Sequence, residues 1–305
     1  MDKTAWLSER FEDHRGHLFG VAYRMLGSLT EADDAVQDAW LRVSRSSPEV
    51  DQVKNLRGWL TTIVARVCLN MLRARKARRE QPLVDFHVPD PVVTFQSGGI
   101  QPEEEALLAD SVGLALLVVL DTLTPAERLA FVLHDLFGLP FEEIAPMVER
   151  APTAARQLAS RARRRVRGAA PETPETDLGL QRTLVDAFFA AARDGHFDAL
   201  VGMLDPDVVL RVDGGAGLPA ASLFVRGSDA VSRQAGRGLR SLFVSPGMRL
   251  RPALVNGAAG VVVTADGRPV TVIGFTIAAG KIVEIDAVSD PMRLPTIAAA
   301  LLANG

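Results

Sequence analysis

FEEIAPMVERAPTAARQLASRARRRVR, Phe141 to Arg167, is the stretch whose reading decides the fold of the first half of this chain. It divides into a short helix (Phe141 to Val148), a tight connection (Glu149 to Pro152) and a longer helix (Thr153 to Arg167). Two short helices joined by about four residues have the size of a helix-turn-helix. Ala155, Leu158, Ala162 and Val166 recur at helical spacing and form a face that can pack. The other face carries Arg156, Gln157, Ser160, Arg161, Arg163 and Arg164, and no acid lies between Arg156 and Arg167. Arg and Gln can make bidentate contacts with base edges, and each Arg can neutralise a phosphate. The pattern favours DNA binding over a solvated helix.

Upstream, Thr124-Pro125-Ala126-Glu127 reads as a capping box with Pro at the first helical position, opening a helix that ends near Gly138. A helix from about Glu103 to Thr122 precedes it. Residues 1 to about 80 also read as helices. Leu7, Phe11, Leu18, Val21, Ala22, Met25 and Leu26 form one stripe, stopped at Gly27. A second helix starts at Thr30, with Glu31, Asp33 and Asp34 in its first turn and Ala32, Val36, Ala39, Trp40 and Val43 as its apolar face. Its acids would repel phosphate, so its outer face is either solvated or a dock for a basic partner. A third helix, Asn55 to Arg79, has the stripe Leu56, Leu60, Ile63, Val67 and Met71. Arg66, Asn70, Arg73 and Arg75 lie off that stripe. A nucleic-acid track and a solvated basic tail are both open for them.

The whole chain hides this polarity. Its 305 residues hold 34 Lys plus Arg and 37 Asp plus Glu, a net charge of -3. The bases are concentrated in two blocks, Arg66 to Arg79 and Arg156 to Arg167, with an acidic region between them that includes Glu103, Glu104, Glu105, Asp110, Asp121, Glu142 and Glu143. Hydrophobic residues make up 48%, which excludes global disorder. A single cysteine, Cys68, excludes a disulfide framework and a Cys-rich zinc site. The charged start, Met1 to Gly16, does not resemble a signal peptide, and the longest apolar run, around Val112 to Leu120, is far short of a membrane span. A cytoplasmic protein without metal or cofactor is expected.

Pro82, Pro89, Pro91, Pro102 and Ser97-Gly98-Gly99 mark a linker, and a second one lies at Ala169 to Pro174. Beyond it come one or two helices (Leu178 to Leu204) and β-type segments at Val208 to Val212, Leu223 to Arg226, Met248 to Val255, Val261 to Ala265, Val270 to Ala278 and Ile282 to Val288. A helical patch near Asp229 to Leu242 interrupts them. Asp266-Gly267 and Ala279-Gly280-Lys281 read as hairpin turns. The expected fold is multidomain: two all-α domains (1–80 and 106–168), linkers at 81–105 and 169–176, and an α+β domain at 177–305.

Glu31 to Arg42, Arg57-Gly58-Trp59-Leu60-Thr61-Thr62-Ile63-Val64-Ala65-Arg66, Leu123-Thr124-Pro125-Ala126-Glu127-Arg128 and Phe141-Glu142-Glu143-Ile144-Ala145 resemble, in order and spacing, regions 2 and 4 of the extracytoplasmic-function (ECF) sigma factors, bacterial initiation subunits of RNA polymerase. The segments Phe188 to Gly195 and Asp205 to Val209 resemble a SnoaL-like domain of the NTF2 type. Together the chain is similar to the SigJ type, sigma factors with a fused C-terminal SnoaL-like domain. Three signatures of that group stand in altered form: His87-Val88-Pro89-Asp90-Pro91-Val92-Val93, Asp213-Gly214-Gly215-Ala216-Gly217 and Asp290-Pro291-Met292-Arg293-Leu294.

The resemblance implies a role for each face. Asp34, Gln37, Asp38 and Arg42 fall where the family docks on the clamp helices of the polymerase largest subunit. Ser44 to Lys54 and the next helix fall where it captures the −10 element, with Thr62 and Arg66 near unpaired bases and Asn70, Arg73 and Arg75 along the strand. Arg156, Gln157, Ser160, Arg161 and Arg164 match the −35-reading face. Asp213, Gly214, Gly215, Asp290 and Pro291 fall in the regulatory motifs and pocket of the C-terminal domain. No dedicated anti-sigma factor and no membrane partner are expected.

Asp213, Asp286 and His196 are the groups in that domain that could suggest catalysis, but Asp213 precedes a glycine turn and His196 sits at a helix end. No acid, base and nucleophile set converges, so a non-catalytic domain is expected. Two rivals remain. One is a DNA-targeted SnoaL-like enzyme or small-molecule sensor, which a polar pocket would favour and a pocket filled by Leu, Val and Phe would oppose. The other is an ordinary helix-turn-helix repressor, which would bind duplex tightly without polymerase.

Overall fold

The computed structural model describes residues 3–45, 55–78, 87–95, 113–169, 175–215 and 221–299. The expectations for residues 46–54, Arg79, the Ser97 to Gly99 turn, the acids Glu103 to Asp110, and Ala216 and Gly217 lie outside them. The chain divides into two compact units. Of the described residues, 3–45, 55–78 and 119–169 belong to the first, and 87–95, 113–118, 175–215 and 221–299 to the second.

The first unit is all helical. Its helices are α1 (Lys3–Leu26), α2 (Leu29–Arg45) and α3 (Leu56–Arg78), with Gly27 left-handed between the first two. The apolar stripes of α1 and α2 are buried as their spacing requires, and Trp40 packs on Phe11 with ring centroids 5.1 Å apart. The stripe of α3 is rotated from the expected one. Leu60, Val64, Cys68 and Leu72 are buried, while Leu56, Ile63 and Met71 are only half-buried. This helix has apolar side chains around most of its circumference, so periodicity could not choose the inward face.

Helix α4 (Leu114–Asp121) carries the division between the units within it. Helix α5 (Pro125–Phe131) opens on the expected capping box: the Glu127 amide donates to the Thr124 hydroxyl and the Thr124 amide to the Glu127 carboxylate. One turn of π-helix, Val132–Leu136, carries it toward Gly138. Helix α6 (Phe141–Ile144) is shorter than expected, its C-terminal half being turns that run to a left-handed Glu149. Helix α7 (Pro152–Ala169) completes the helix-turn-helix on buried Ala155, Leu158, Ala159 and Ala162.

The second unit is α+β. Helices α8 (Leu178–Asp194) and α9 (Phe197–Met203) lead into strand β2 (Leu204–Asp213). Then follow β3 (Leu223–Arg226), α10 (Ser228–Val244), β4 (Met248–Val255), β5 (Ala258–Ala265), β6 (Arg268–Ala278), β7 (Lys281–Val288) and α11 (Leu294–Ile297). The linker supplies the remaining strand, β1 (Val93–Thr94). The sheet order is β1-β4-β5-β6-β7-β2-β3, antiparallel except between β2 and β7. Three hairpins turn on two residues with positive φ: Asn256-Gly257, Asp266-Gly267 and Ala279-Gly280. That is the geometry matching strand twist.

Residues 87–95 correct the linker expectation. Val88 to Thr94 are buried, and β1 pairs with β4 through Val93–Val255 and Thr94–Leu254. The Asn256 amide donates to the Val92 carbonyl (2.8 Å), and the Val92 amide to the Asn256 side chain (3.1 Å). Two prolines suggest a linker, but Val88 before them and Val92 and Val93 after them supply apolar area to bury, and proline is tolerated at a sheet edge.

Gly260 marks the tightest point of this sheet. A Cβ there would lie 2.4 Å from Val255 Cγ2 and 2.7 Å from the Ile273 carbonyl oxygen. Gly260→Ala is expected to cost about 1–3 kcal/mol. The measurement is the urea midpoint of the full chain, and an unchanged midpoint would show that the strands yield without penalty.

Candidate polymerase and nucleic-acid interfaces

On α2, Asp34, Gln37 and Arg42 are exposed and Asp38 is half-exposed. Gln37 donates to Asp33 (2.7 Å), and Arg42 pairs with Asp38 one turn earlier (2.8 Å). Amid this polar face stands Leu41, half exposed at 50%. The sequence reading placed Leu41 neither on the apolar face of this helix nor among the contact residues.

On α3, Arg66, Asn70 and Arg73 are exposed and Thr62 is half-buried, its hydroxyl donating to the Trp59 carbonyl (2.7 Å). Arg73 reaches Glu149 of the helix-turn-helix at 3.7 Å. Arg75 differs from its neighbours. Its guanidinium pairs with Glu31 and donates to the Leu26 carbonyl at 3.5 Å, so its charge is answered within the helical unit. Arg128, 2% exposed, is a second inward arginine: it donates to the Arg24 carbonyl (3.2 Å) and to Asp121 (3.0 Å). Burial pushes its pKa down, and Asp121 opposes that fall.

The recognition helix presents Arg156, Gln157, Ser160, Arg161 and Arg164 to solvent. Its arginines are free of acids in sequence but not in space. Arg156 pairs with Glu142 (2.9 Å) and lies over the Phe141 ring, Arg163 pairs with Asp135 (2.6 Å), and Arg161 and Arg165 both reach Glu127 (3.4 and 2.9 Å). Burial raises the Glu127 pKa. The Thr124 hydroxyl and amide, with Arg165 and Arg161, outweigh that and hold it below the ordinary carboxylate range. Gln157, Ser160 and Arg164 make no side-chain bond among the described residues. Exposed pairs such as Arg156–Glu142 are worth about 0–1 kcal/mol, so they can exchange for a phosphate.

In the second unit the three altered motifs converge. Asp213, at the end of β2 and 6% exposed, accepts from the Val88 amide (3.0 Å), Arg293 (2.9 Å) and the Gly215 amide (2.9 Å), with the His87 Nδ1 at 2.9 Å. Arg293 also donates to Asp90 (2.6 Å) and to the Val88 carbonyl (2.5 Å). Burial raises the Asp213 pKa, but the His87 and backbone hydrogen bonds dominate and hold it well below the usual carboxylate range. Gly214 donates to Ser222 (3.1 Å). Gly215 has φ +73°, and a Cβ there would sit 2.1 Å from an Asp290 carboxylate oxygen. Asp290 in turn accepts from the Met292 amide (2.9 Å), while Pro291 is exposed at that turn. These contacts form a clasp around residues 87–90.

Asp286 and His196 do not approach each other's chemistry. His196 is exposed, as expected. Asp286 is buried and bound to Arg211 (2.9 Å), which also reaches Glu284 (3.4 Å). Burial pushes the Asp286 pKa up to about 6 against the pull of Arg211. The nearby apolar cavity is lined by residues of the opposite sheet face, such as Leu210, Val212, Ile285 and Ala287. No group of metal-ligating side chains occurs among the described residues. None of their helices is long and apolar enough to cross a membrane.

Comparison with known proteins accords with this division. The family model for sigma-70 region 2 matches residues 10–78, and that for sigma-70 region 4 matches residues 113–166. The chain is 33% identical over 300 residues to the probable ECF RNA polymerase sigma factor SigI of Mycobacterium tuberculosis, covering 97% of each. It is 40% identical over 223 residues to the ECF sigma factor SigJ of the same organism, covering 73% of this chain and 70% of that one. The crystal structure of M. tuberculosis SigJ superposes with a TM-score of 0.71 at 32% identity, over 95% of this chain and 98% of that one.

Asp286 gives a pH signature. Its folded pKa of about 6 lies above the ordinary unfolded value of about 3.9. The folded chain therefore binds the extra proton, and this group's contribution to stability falls as pH rises from about 4 to 6. Asp286→Asn should lack that component. The check is the difference in urea midpoint between the variant and the parent across pH 4 to 7. A constant difference would contradict the assignment.

Proposed function

The chain belongs to the extracytoplasmic-function sigma factors, which direct core RNA polymerase to promoters, and from that premise we propose how its own residues divide the task. Asp34, Gln37, Asp38 and Arg42, with Leu41 among them, dock on a basic helical element of the polymerase largest subunit. Arg66, Asn70 and Arg73, with Thr62 one turn before Arg66, hold the separated strand of the −10 element. Opening that duplex costs stacking energy, which a cationic track and base contacts offset. Gln157, Ser160 and Arg164 read the −35 element in the major groove, with Arg156 and Arg161 exchanging their intramolecular acids for phosphates. Arg75 contributes to the fold of the −10 module instead of to the DNA track.

The C-terminal domain regulates and does not catalyse. In support, Glu284 and Asp286 pair with Arg211, Asp213 belongs to the clasp, and among the described residues the cavity walls carry no acid or base. The clasp is the observation that carries the regulatory reading. It takes hold of residues 87–90, in the segment between the −10 and −35 modules. A domain that holds this segment acts on both promoter contacts at once, and so stands in for a separate anti-sigma protein. The chain works in the cytoplasm, where polymerase is.

Run-off transcription with purified core polymerase tests this reading. Removing residues 171–305 should change output from a cognate promoter at matched protein level, and unchanged output would count against it. Arg164→Ala should weaken holoenzyme binding to the −35 element and reduce the slope of log affinity against log salt by about 1. A slope equal to the parent's would remove Arg164 from the contact.

A further inference from the structure

We propose that the cleft of about 410 Å³ between α3 and the start of α5 is a receptor site for a nucleoside monophosphate, with the phosphate at its basic end and the ring on its apolar wall. The claim stands on residues of the helical unit alone and goes beyond the division of promoter contacts.

The cleft has the size of a small-molecule site. Its cations are Arg75, Lys76 and Arg128, and its acid is Asp121. Arg128 donates one terminal nitrogen to Asp121 and its Nε to the Arg24 carbonyl. Its other terminal nitrogen, Nη2, is buried and has no partner among the described residues. Arg75 is answered by Glu31. Lys76 is exposed and pairs with no acid among the described residues. Three cations against two acids leave one positive charge and one unmet charged donor around the same space. A charged donor without a partner is costly where water is scarce, so an anion beside it is stabilising. The repulsion between the two guanidinium groups points the same way: burial lowers the Arg128 pKa, Asp121 opposes that fall, and Arg75 adds to it. A single phosphate group comes nearest to that surplus, whereas a chain of phosphates would exceed it and press on Asp121.

A phosphate fills only part of this volume. Leu72, Leu123 and Pro125 line the rest and offer apolar surface to the flat face of a base. The Thr122 hydroxyl donates to the Val119 carbonyl (2.7 Å), so toward a ligand it is an acceptor, which a ring amino group or a sugar hydroxyl can meet. The Thr124 hydroxyl is already committed to Glu127, donating to its carboxylate (2.7 Å) and accepting from its amide. A free nucleotide fits better than a nucleic-acid strand. A strand needs a continuous exposed row, which Arg66, Asn70 and Arg73 supply, while Arg128 is 2% exposed and Arg75 is half-buried. Donors set back between two helices suit a terminal phosphate that can enter.

The test uses the full chain and adenosine monophosphate as probe, by titration calorimetry at low salt. Saturable binding of one molecule per chain is expected. Adenosine, which lacks the charge, and inorganic phosphate, which lacks the ring, should each bind at least about tenfold more weakly. Lys76→Ala should weaken binding of the nucleotide by about fivefold or more, and Lys76→Arg should keep it. Arg268→Ala removes the same charge from an exposed position in the second unit and should leave the affinity unchanged. Saturating nucleotide should raise the urea midpoint of the parent by more than that of Lys76→Ala. Absence of saturable binding overturns the site. So does a loss shared equally by Lys76→Ala and Arg268→Ala, which is what charge attraction without a site would give. A single-stranded oligonucleotide without a terminal phosphate should not displace the nucleotide; displacement would put the cleft in the DNA track and overturn the free ligand. None of these readouts depends on transcription, so a failure of the promoter contacts at Arg66, Asn70 and Arg73 would leave the site standing.

Discussion

A buried carboxylate cannot be left unanswered, and Asp213 is answered largely from distant sequence. Its partners are His87 and Val88, more than a hundred residues upstream, and Arg293, eighty residues downstream. The cost of burying that charge unpaired gives each donor weight: a donor lost leaves the others holding a less well solvated anion. Arg293 has the same need and meets it with Asp90 and the Val88 carbonyl. This reciprocal demand draws three separate stretches of chain into one place. Strand β1 then adds its ladder to the edge of β4 beside it.

The helical unit manages charge differently. Its basic blocks would repel themselves if each guanidinium were left alone. The helix-turn-helix answers most of them with Glu142, Asp135 and Glu127 from the preceding helices. Arg156–Glu142 is exposed on both sides and weak enough to give way to a phosphate, whereas Glu127 is a buried carboxylate that Arg161 and Arg165 reach from the surface. Arg128 and Arg75 are held more deeply, by buried or backbone partners, and belong to the scaffold. The division between exchangeable and committed arginines separates the two duties of one residue type.

Much of this was legible in the chain. Thr124-Pro125-Ala126-Glu127 is a local capping device and forms as read. The Ala155, Leu158 and Ala162 face is buried, and the strands from Leu223 onward lie where alternation placed them, because period and turn chemistry act over a few residues. The α3 stripe was misread by a rotation, since an apolar residue on nearly every face leaves the inward direction to its neighbours. That the linker segment around Pro89 and Pro91 also adds a strand to the sheet could not be read for a related reason: proline reports what the backbone cannot do, not where the adjoining valines will find cover.

By itself the sequence determined the elements, the helix-turn-helix, the acidic face of α2 and the α+β character of the last third, since all follow from local spacing and charge sign. Tertiary structure alone decided which arginines remain available, that residues 87–95 become part of a sheet, and that Asp213, Asp290 and Arg293 meet. Those outcomes depend on pairing between residues far apart in sequence, where the energy of a buried ion or a strand edge is settled only by what the folded chain brings beside it.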